Sequence, residues 1–304
     1  EKLKAWAKAE LKGYPDDALA AADGPRADDW IPTADTLLAA ELAAGASRVL
    51  MDLRSVAGTG DVPFDGRPLG AAGDAASQAW LAAALAEARP DDAVLSEEAE
   101  SDPSRLSARR VWIIDPLDGT REFAEVNPDG TRRTDFAVHV ALWEAGRGLT
   151  AGAVTLPARG LAYDSATVDR VPPDAARDVL AGVRPLRIAV SRTRPPAVVT
   201  HLAHRPDVEL VPIGSTGVKV MAVVDGSVDA YVHAGGQYEW DSAAPVAVAQ
   251  AAGLHATRLD GSPLVYNRPD PWSPDLLVCH PALVVLLRRL LAAVGPGDGP
   301  GAPA

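Results

Sequence analysis

Hydrophobic and polar positions show two kinds of pattern, helical and strand-like, in the first half of this 304-residue chain. Residues 33–52 and 73–89 are rich in alanine and leucine at helical spacing, which predicts two helices. Four apolar runs predict strands, and they lie at Val94–Leu95, Val111–Ile114, 134–143 and 149–156. This half therefore predicts an α+β unit.

The second half begins with an apolar strand pattern at Leu186–Val190 and then alternates helix and strand to about residue 290. Pro172 and Pro173 mark a linker before it. The order predicts an α+β unit joined to an α/β unit. The predicted division is a leader at 1–30, an N-terminal domain at 31–183, a C-terminal domain at 184–292 and a disordered Gly/Pro-rich tail at 293–304.

Charge and cysteine content narrow the classes of function. The net charge of −12 argues against nucleic-acid binding, which needs basic surface. An acidic protein that handles an anionic substrate needs cations at the site itself. The single cysteine, Cys279, excludes an intrachain disulfide, lies in an apolar strand pattern and is expected to be inert. The single cysteine fits a reducing cytosol, so we expect a cytoplasmic protein. No apolar run approaches the roughly 20 residues that span a bilayer, so we expect no membrane partner.

The candidate chemistry starts at Asp115-Pro-Leu-Asp-Gly-Thr120, which follows the predicted strand Val111–Ile114. Pro116 lacks an N–H and fixes φ, so we expect the strand to stop there. Asp115 and Asp118 then project from a turn at the strand end. Gly119 allows close approach of a ligand, and its N–H and that of Thr120 can point at an anion.

Two further acidic segments lie elsewhere in the chain. Glu97 and Glu98 follow the strand at Val94–Leu95, and Asp241 begins an Ala/Val-rich helix that runs to Gly253. Taken singly, the glutamates fit a solvated pair and Asp241 fits an ordinary N-cap. Together with Asp115 and Asp118, which like Glu97 directly follow buried strands, these oxygen ligands suit Mg²⁺, Mn²⁺ or Ca²⁺ better than zinc.

Three segments carry a family resemblance: Ser96-Glu97-Glu98, Asp115–Thr120 and Trp240-Asp241-Ser-Ala-Ala244. Their order and spacing resemble the inositol monophosphatase superfamily, and within it the CysQ-type 3′(2′),5′-bisphosphate nucleotidases of actinobacteria. The resemblance covers about residues 33–290. It implies a layered αβαβα sugar-phosphatase fold.

The resemblance also implies roles for individual residues. One Mg²⁺ would be held by Glu97, Asp115 and the Leu117 carbonyl. A second would be held by Asp115, Asp118 and Asp241, and a third, weaker ion would lie near Glu97. Mn²⁺ could substitute for Mg²⁺. The implied nucleophile is a water activated by the metal, with Thr120, Glu97 and Asp74 as the catalytic residues. Asp74 would hydrogen-bond Thr120, although a plain helix N-cap is the competing interpretation.

Lys219 is the one lysine beyond the first 12 residues, in a chain that otherwise uses arginine. Lys219 and Thr216 match a pattern by which nucleotidase relatives contact the second phosphate and sugar, and Ser191 resembles the start of the same pocket. The implied substrate contacts are Asp118, Gly119, Thr120, Ser191, Thr216, Lys219 and Asp241.

The implied reaction is hydrolysis of 3′-phosphoadenosine 5′-phosphate to AMP and phosphate in sulfur assimilation, inhibited by Li⁺. Inositol 1-phosphate or fructose 1,6-bisphosphate is the alternative substrate. A haloacid-dehalogenase-type phosphatase does not fit, because its two aspartates lie two residues apart and Asp115 and Asp118 are three apart. A non-catalytic metal- or nucleotide-binding protein is the hypothesis from another class. A homodimer stays open.

Overall fold

The computed structural model describes residues 30–57 and 66–292. The predicted leader, apart from Trp30, and the predicted tail lie outside these residues. The described helices are α1 (Ala34–Val56), α2 (Gly66–Ala88), α3 (Thr120–Ala124), α4 (Arg177–Leu180), α5 (Ala197–Thr200), α6 (Thr216–Val224), α7 (Glu239–Ala251) and α8 (Val284–Ala292). The described strands are β1 (Ala93–Ser96), β2 (Arg110–Asp118), β3 (Ala137–Glu144), β4 (Gly148–Leu156), β5 (Leu161–Asp164), β6 (Leu186–Ser191), β7 (Val208–Ile213), β8 (Ala230–Tyr238), β9 (His255–Thr257) and β10 (Trp272–Cys279).

The strands form two five-stranded sheets. The first has the order β1-β2-β3-β4-β5, in which only the β1–β2 pair is parallel. The second has the order β7-β6-β8-β10-β9, with parallel pairs on either side of β6 and antiparallel pairs on either side of β10. Each sheet is therefore mixed, and the first half of the chain supplies one sheet and the second half the other.

Three apolar clusters stack the elements into layers. One joins α1 and α2 to the outer face of the first sheet. A second fills the space between the two sheets around α6 and α7. The third joins α4, α5 and α8 to the far face of the second sheet. The result is the predicted αβαβα order of layers, so the predicted fold is confirmed.

The continuous apolar run at Val111–Ile114 lies in β2, which is buried on both faces. Val111 and Ile113 point into the cluster between the sheets, and Trp112 and Ile114 into the cluster under α1 and α2. Side chains alternate between the faces of a strand, so a strand buried on both faces has no polar face.

Three boundary predictions were wrong. β2 does not stop at Pro116 but continues to Asp118, because a β-bulge carries the strand past the proline. α2 begins at Gly66 rather than at residue 73, so Asp74 lies inside the helix and is not its N-cap. Asp241 is the third residue of α7, whose N-cap is Tyr238.

Candidate metal centre and active site

Asp115 and Asp118 reach the same side of the first sheet because of the bulge in β2. Asp115 is paired with His139 of β3, and Asp118 with Ala137, so three steps along β2 match two along β3. In a regular strand, residues three apart point to opposite faces. The extra residue reverses the alternation, and both carboxylates face the layer of α6 and α7.

Asp241 completes the cluster from α7. One oxygen from each of Asp115, Asp118 and Asp241 lies within 4.8 Å of the others. The Tyr238 N–H donates to Asp241 Oδ2 over 2.6 Å, which fixes this carboxylate at the first turn of α7. Asp115 and Asp118 of β2 thus meet Asp241 of α7, which is distant in sequence, between the first sheet and the middle helices.

Asp115 is the most enclosed of the three. Its residue is 1 % exposed. Oδ1 accepts the Leu117 N–H over 3.1 Å, but Oδ2 is buried and has no hydrogen-bond partner among the described residues. Burial, followed by the charges of Asp118, Glu97 and Asp241, raises the pKa of Asp115 well above its ordinary value.

Asp118 is held by the segment that begins α6. Its Oδ2 accepts a hydrogen bond from Ser215 Oγ at 2.5 Å and another from the Gly217 N–H at 2.8 Å. Ser215 also caps α6, because its Oγ accepts the Val218 N–H. Thr216 and Lys219 were predicted as site residues from the sequence, but Ser215 was not. Its preference for N-cap positions was the available signal, although that preference does not reveal the bond to Asp118.

Glu97 lies at the exposed edge of the cluster, just after β1, and is not among the three carboxylates that meet within 4.8 Å. Partial burial, then the charges of Asp241 and Asp118, raise its pKa to about 7. Asp241 also has its pKa raised to about 7, by burial and by Asp118, against smaller lowering effects that include Lys219 and Arg194. The site therefore concentrates negative charge that Lys219 and Arg194 offset only in part.

Asp74 and Thr120 are in contact. Thr120 Oγ1 lies 3.1 Å from Asp74 Oδ1 and 3.3 Å from the Leu117 carbonyl oxygen, and it can donate its proton to either. Burial raises the pKa of Asp74 to about 6, although the Thr120 bond lowers it. α2 brings Asp74 to this position in its interior, 46 residues before its partner.

Gly119, between Asp118 and Thr120, has a φ of 92°, which L side chains rarely adopt. A Cβ there would also lie 3.3 Å from the Asp135 carbonyl oxygen and from Phe136. Glycine is thus required where the chain turns from β2 into α3.

Lys219 lies deep in the protein, beneath the acidic cluster. Lys219 is 5 % exposed, and its Nζ lies 5.2 Å from the centroid of the Tyr231 ring. Burial lowers the pKa of Lys219, while the charges of Asp118 and Glu122 oppose that effect. Thr216 is also buried, and Ser191 ends β6 with its Oγ accepting the Arg194 N–H. Lys219 is therefore part of the floor beneath the acidic cluster.

His139 is a buried neighbour of the cluster. Its Nε2 lies 3.3 Å from Asp118 Oδ2, and its Nδ1 lies 3.2 Å from the Trp240 carbonyl oxygen. Burial lowers the pKa of this imidazole. Cys279 is fully buried in β10, where burial raises the pKa of its thiol, so it lacks the character of a nucleophile.

The model of the inositol monophosphatase family aligns with residues 35–289 of this chain. The chain belongs to this family. It is 50 % identical over 271 residues to the 3′-phosphoadenosine 5′-phosphate phosphatase of Mycobacterium leprae, covering 86 % of the chain and 94 % of that protein. It is 34 % identical over 245 residues to the 3′(2′),5′-bisphosphate nucleotidase CysQ of Escherichia coli O157:H7, covering 75 % and 92 %.

Solved structures support the same fold. Inositol monophosphatase II of Staphylococcus aureus superposes with a TM-score of 0.67 at 19 % identity, covering 84 % of the chain and 95 % of that protein. The chain is thus a phosphatase of the inositol monophosphatase family. Among residues 30–57 and 66–292, no helix combines the length and apolar character needed to cross a bilayer.

Proposed function

We propose that the protein is a Mg²⁺-dependent phosphatase that hydrolyses 3′-phosphoadenosine 5′-phosphate to AMP and phosphate, a step in sulfur assimilation. The meeting of Asp115, Asp118 and Asp241 beside Thr120 carries the chemical part of this proposal. The substrate is supported by the 50 % identity to a relative named for that reaction.

The residues present fit a hard divalent cation. All the donors are oxygens, which Mg²⁺ and Mn²⁺ prefer. The Asp115 Oδ2 atom is buried without a hydrogen bond, and the pKa values of Asp115 and Asp241 are raised by burial and mutual repulsion, so a bound cation would relieve both costs. Glu97, Asp115, the Leu117 carbonyl, Asp118 and Asp241 would hold two or three such ions. When bound, they acidify water and neutralise charge on the phosphate.

The chain's own groups would orient the attacking water. Thr120 has one hydroxyl proton, which it donates to Asp74 or to Leu117, so a lone pair stays available to accept a hydrogen bond from water. Glu97, with a pKa of about 7, is suited to take a proton from that water near neutral pH. The N–H groups of Gly119 and Thr120 would bind phosphate oxygens.

Lys219 supplies the argument for a bisphosphorylated substrate. It is a buried cation close enough to Asp118 and Asp241 for their charges to act on it. The positive charge of Lys219 would attract a second anionic group of the substrate. Thr216 and Ser191 would contact the same part of the substrate. An inositol monophosphate lacks this second phosphate.

The test is a comparison of kcat/KM on 3′-phosphoadenosine 5′-phosphate, inositol 1-phosphate and fructose 1,6-bisphosphate with Mg²⁺, using Asp115→Asn as the inactive control. We expect the nucleotide to be preferred. A higher value for inositol 1-phosphate would overturn the substrate assignment. Absence of phosphate release from every ester would instead favour a non-catalytic binding protein.

A further inference from the structure

An exposed aromatic patch lies at the end of β8, next to the acidic cluster. Tyr238 is 45 % exposed and Trp272 is 36 % exposed. They are direct partners across the antiparallel β8–β10 pair, so their side chains lie on one face of the sheet. Together they form a small exposed aromatic patch on that face.

The Tyr238 ring is covered on one face by a second aromatic ring. It is stacked on Trp240, with ring centroids 4.7 Å apart and planes 11° apart. Trp240 is partly buried and packs against the core between the two sheets. Since Trp240 covers one face of the Tyr238 ring, the exposed area belongs to the opposite face and the hydroxyl edge. The protein thus presents one flat, anchored π surface to solvent.

A pair of glycines shapes the rest of the patch. Gly235 and Gly236 have φ values of 106° and 95°, which favour glycine. The Trp272 indole lies directly over Gly236, where an added Cβ would be 2.5 Å from Nε1. The absence of a side chain at Gly236 therefore lets Trp272 lie close to the backbone beside Tyr238.

This surface adjoins the metal centre. The Tyr238 N–H is bonded to Asp241 Oδ2, so the backbone of the aromatic residue touches one of the three clustered carboxylates. Arg194, which is exposed, lies close enough for its charge to act on both Asp241 and His233. A phosphate at the cluster would therefore have a flat aromatic face and a cation within reach of the rest of its molecule.

We propose that the outer face of Tyr238, backed by Trp240, is the surface on which the base of the nucleotide substrate stacks. This inference depends on the proposed function, because it assigns the base-binding part of that same site. A purine is a flat π system that gains from offset stacking on an aromatic ring. Inositol and fructose phosphates have no such ring, so Tyr238 would favour nucleotides over them.

The test measures the ratio of kcat/KM for 3′-phosphoadenosine 5′-phosphate to that for inositol 1-phosphate. We expect Tyr238→Ala to lower this ratio roughly ten-fold through the KM for the nucleotide, as loss of one base stack does. Tyr238→Phe keeps the ring and is expected to hold the ratio within about two-fold. Leu161→Ala is the matched control, because Leu161 of β5 is 44 % exposed and lies outside the site.

A binding measurement separates this inference from the proposed function. Calorimetry with AMP and Mg²⁺ should show roughly ten-fold weaker binding to Tyr238→Ala than to the wild type or Tyr238→Phe. Equal AMP affinities, or an unchanged substrate ratio, would overturn the stacking role. A wild type that does not hydrolyse the bisphosphonucleotide would overturn the proposed function, while the AMP titration would still decide the role of Tyr238.

Discussion

Asp241→Asn should make the metal-free protein more stable above pH 7 while abolishing Mg²⁺-supported phosphate release. The substitution removes one of three clustered carboxylates and keeps an amide oxygen that can accept the Tyr238 N–H. The first turn of α7 therefore stays capped. What changes is the repulsion between buried negative charges, which a cation would otherwise relieve.

The size of the effect follows from the pKa of Asp241. Burial and Asp118 raise it from 3.8 to about 7. The folded protein then binds the proton more tightly than the unfolded chain, so the free energy of unfolding falls as pH rises from about 4 to 7. The full rise corresponds to at most about 4 kcal/mol. Because neighbouring carboxylates readjust when one charge is removed, we expect a gain of about 1–3 kcal/mol at pH 8.

The assay is thermal unfolding in EDTA at pH 5 and pH 8, repeated with Mg²⁺. In EDTA at pH 8 the variant should melt roughly 2–10 °C above the wild type. The difference should shrink at pH 5, and Mg²⁺ should stabilise the wild type much more than the variant. A variant that is less stable than the wild type in EDTA at pH 8, or that still releases phosphate, would refute the reasoning.

Asp229→Asn is the matched control for this experiment. Asp229 is also a buried carboxylate, but it is ion-paired with Arg184 and Arg187. Burial alone would raise the pKa of Asp229, but these two arginines lower it below its ordinary value. The charge of Asp229 therefore stabilises the fold above about pH 4, and that contribution is lost as pH falls. Asp229→Asn should therefore destabilise the protein at pH 8 and leave the response to Mg²⁺ intact.

Three further predictions concern catalysis. Thr120→Val should lower kcat roughly 100-fold, since it removes the hydroxyl that orients water, whereas Thr120→Ser should retain most activity; equal rates for both variants would contradict the role. Lys219→Ala should reduce kcat/KM for the bisphosphonucleotide roughly ten-fold more than for inositol 1-phosphate, and equal losses would remove Lys219 from specificity. LiCl should inhibit Mg²⁺-supported phosphate release more strongly than NaCl at the same concentration, and equal inhibition would contradict the family expectation.

The layers could be predicted from the sequence because a strand that is buried on both faces appears as a continuous apolar run. Val111–Ile114 has no polar position, and its side chains do divide between two cores. The end of that strand was harder to predict. Pro116 removes a hydrogen-bond donor, which normally ends a strand, but the bulge accommodates it and keeps Asp118 within β2. The rule that proline ends a strand thus failed at the β-bulge that places Asp118 in the site.

The contacts within the site depend on partners far apart in the chain, which local patterns do not encode. Asp74 was read from its immediate neighbours as a helix entry, yet its hydrogen bond is to Thr120 from inside α2. Ser215 donates to Asp118 across 97 residues. Family resemblance supplied the Asp74–Thr120 pairing, whereas no pattern along the chain indicated the hydrogen bond from Ser215 to Asp118.

The position of Asp241 depends on how closely α7 approaches the first sheet. A Cβ at Gly152 of β4 would lie only 2.5 Å from Ala247 Cβ and 3.1 Å from the Ala244 carbonyl oxygen. α6 makes a similar approach, since a Cβ at Gly217 would lie 2.2 Å from His139 Nε2. Small residues at these two crossings therefore let α7 bring Asp241 to Asp115, and let the Gly217 N–H reach Asp118. The alanine-rich composition of α7 looks like that of an ordinary core helix. Its small side chains are nevertheless needed for the close packing that forms the acidic cluster.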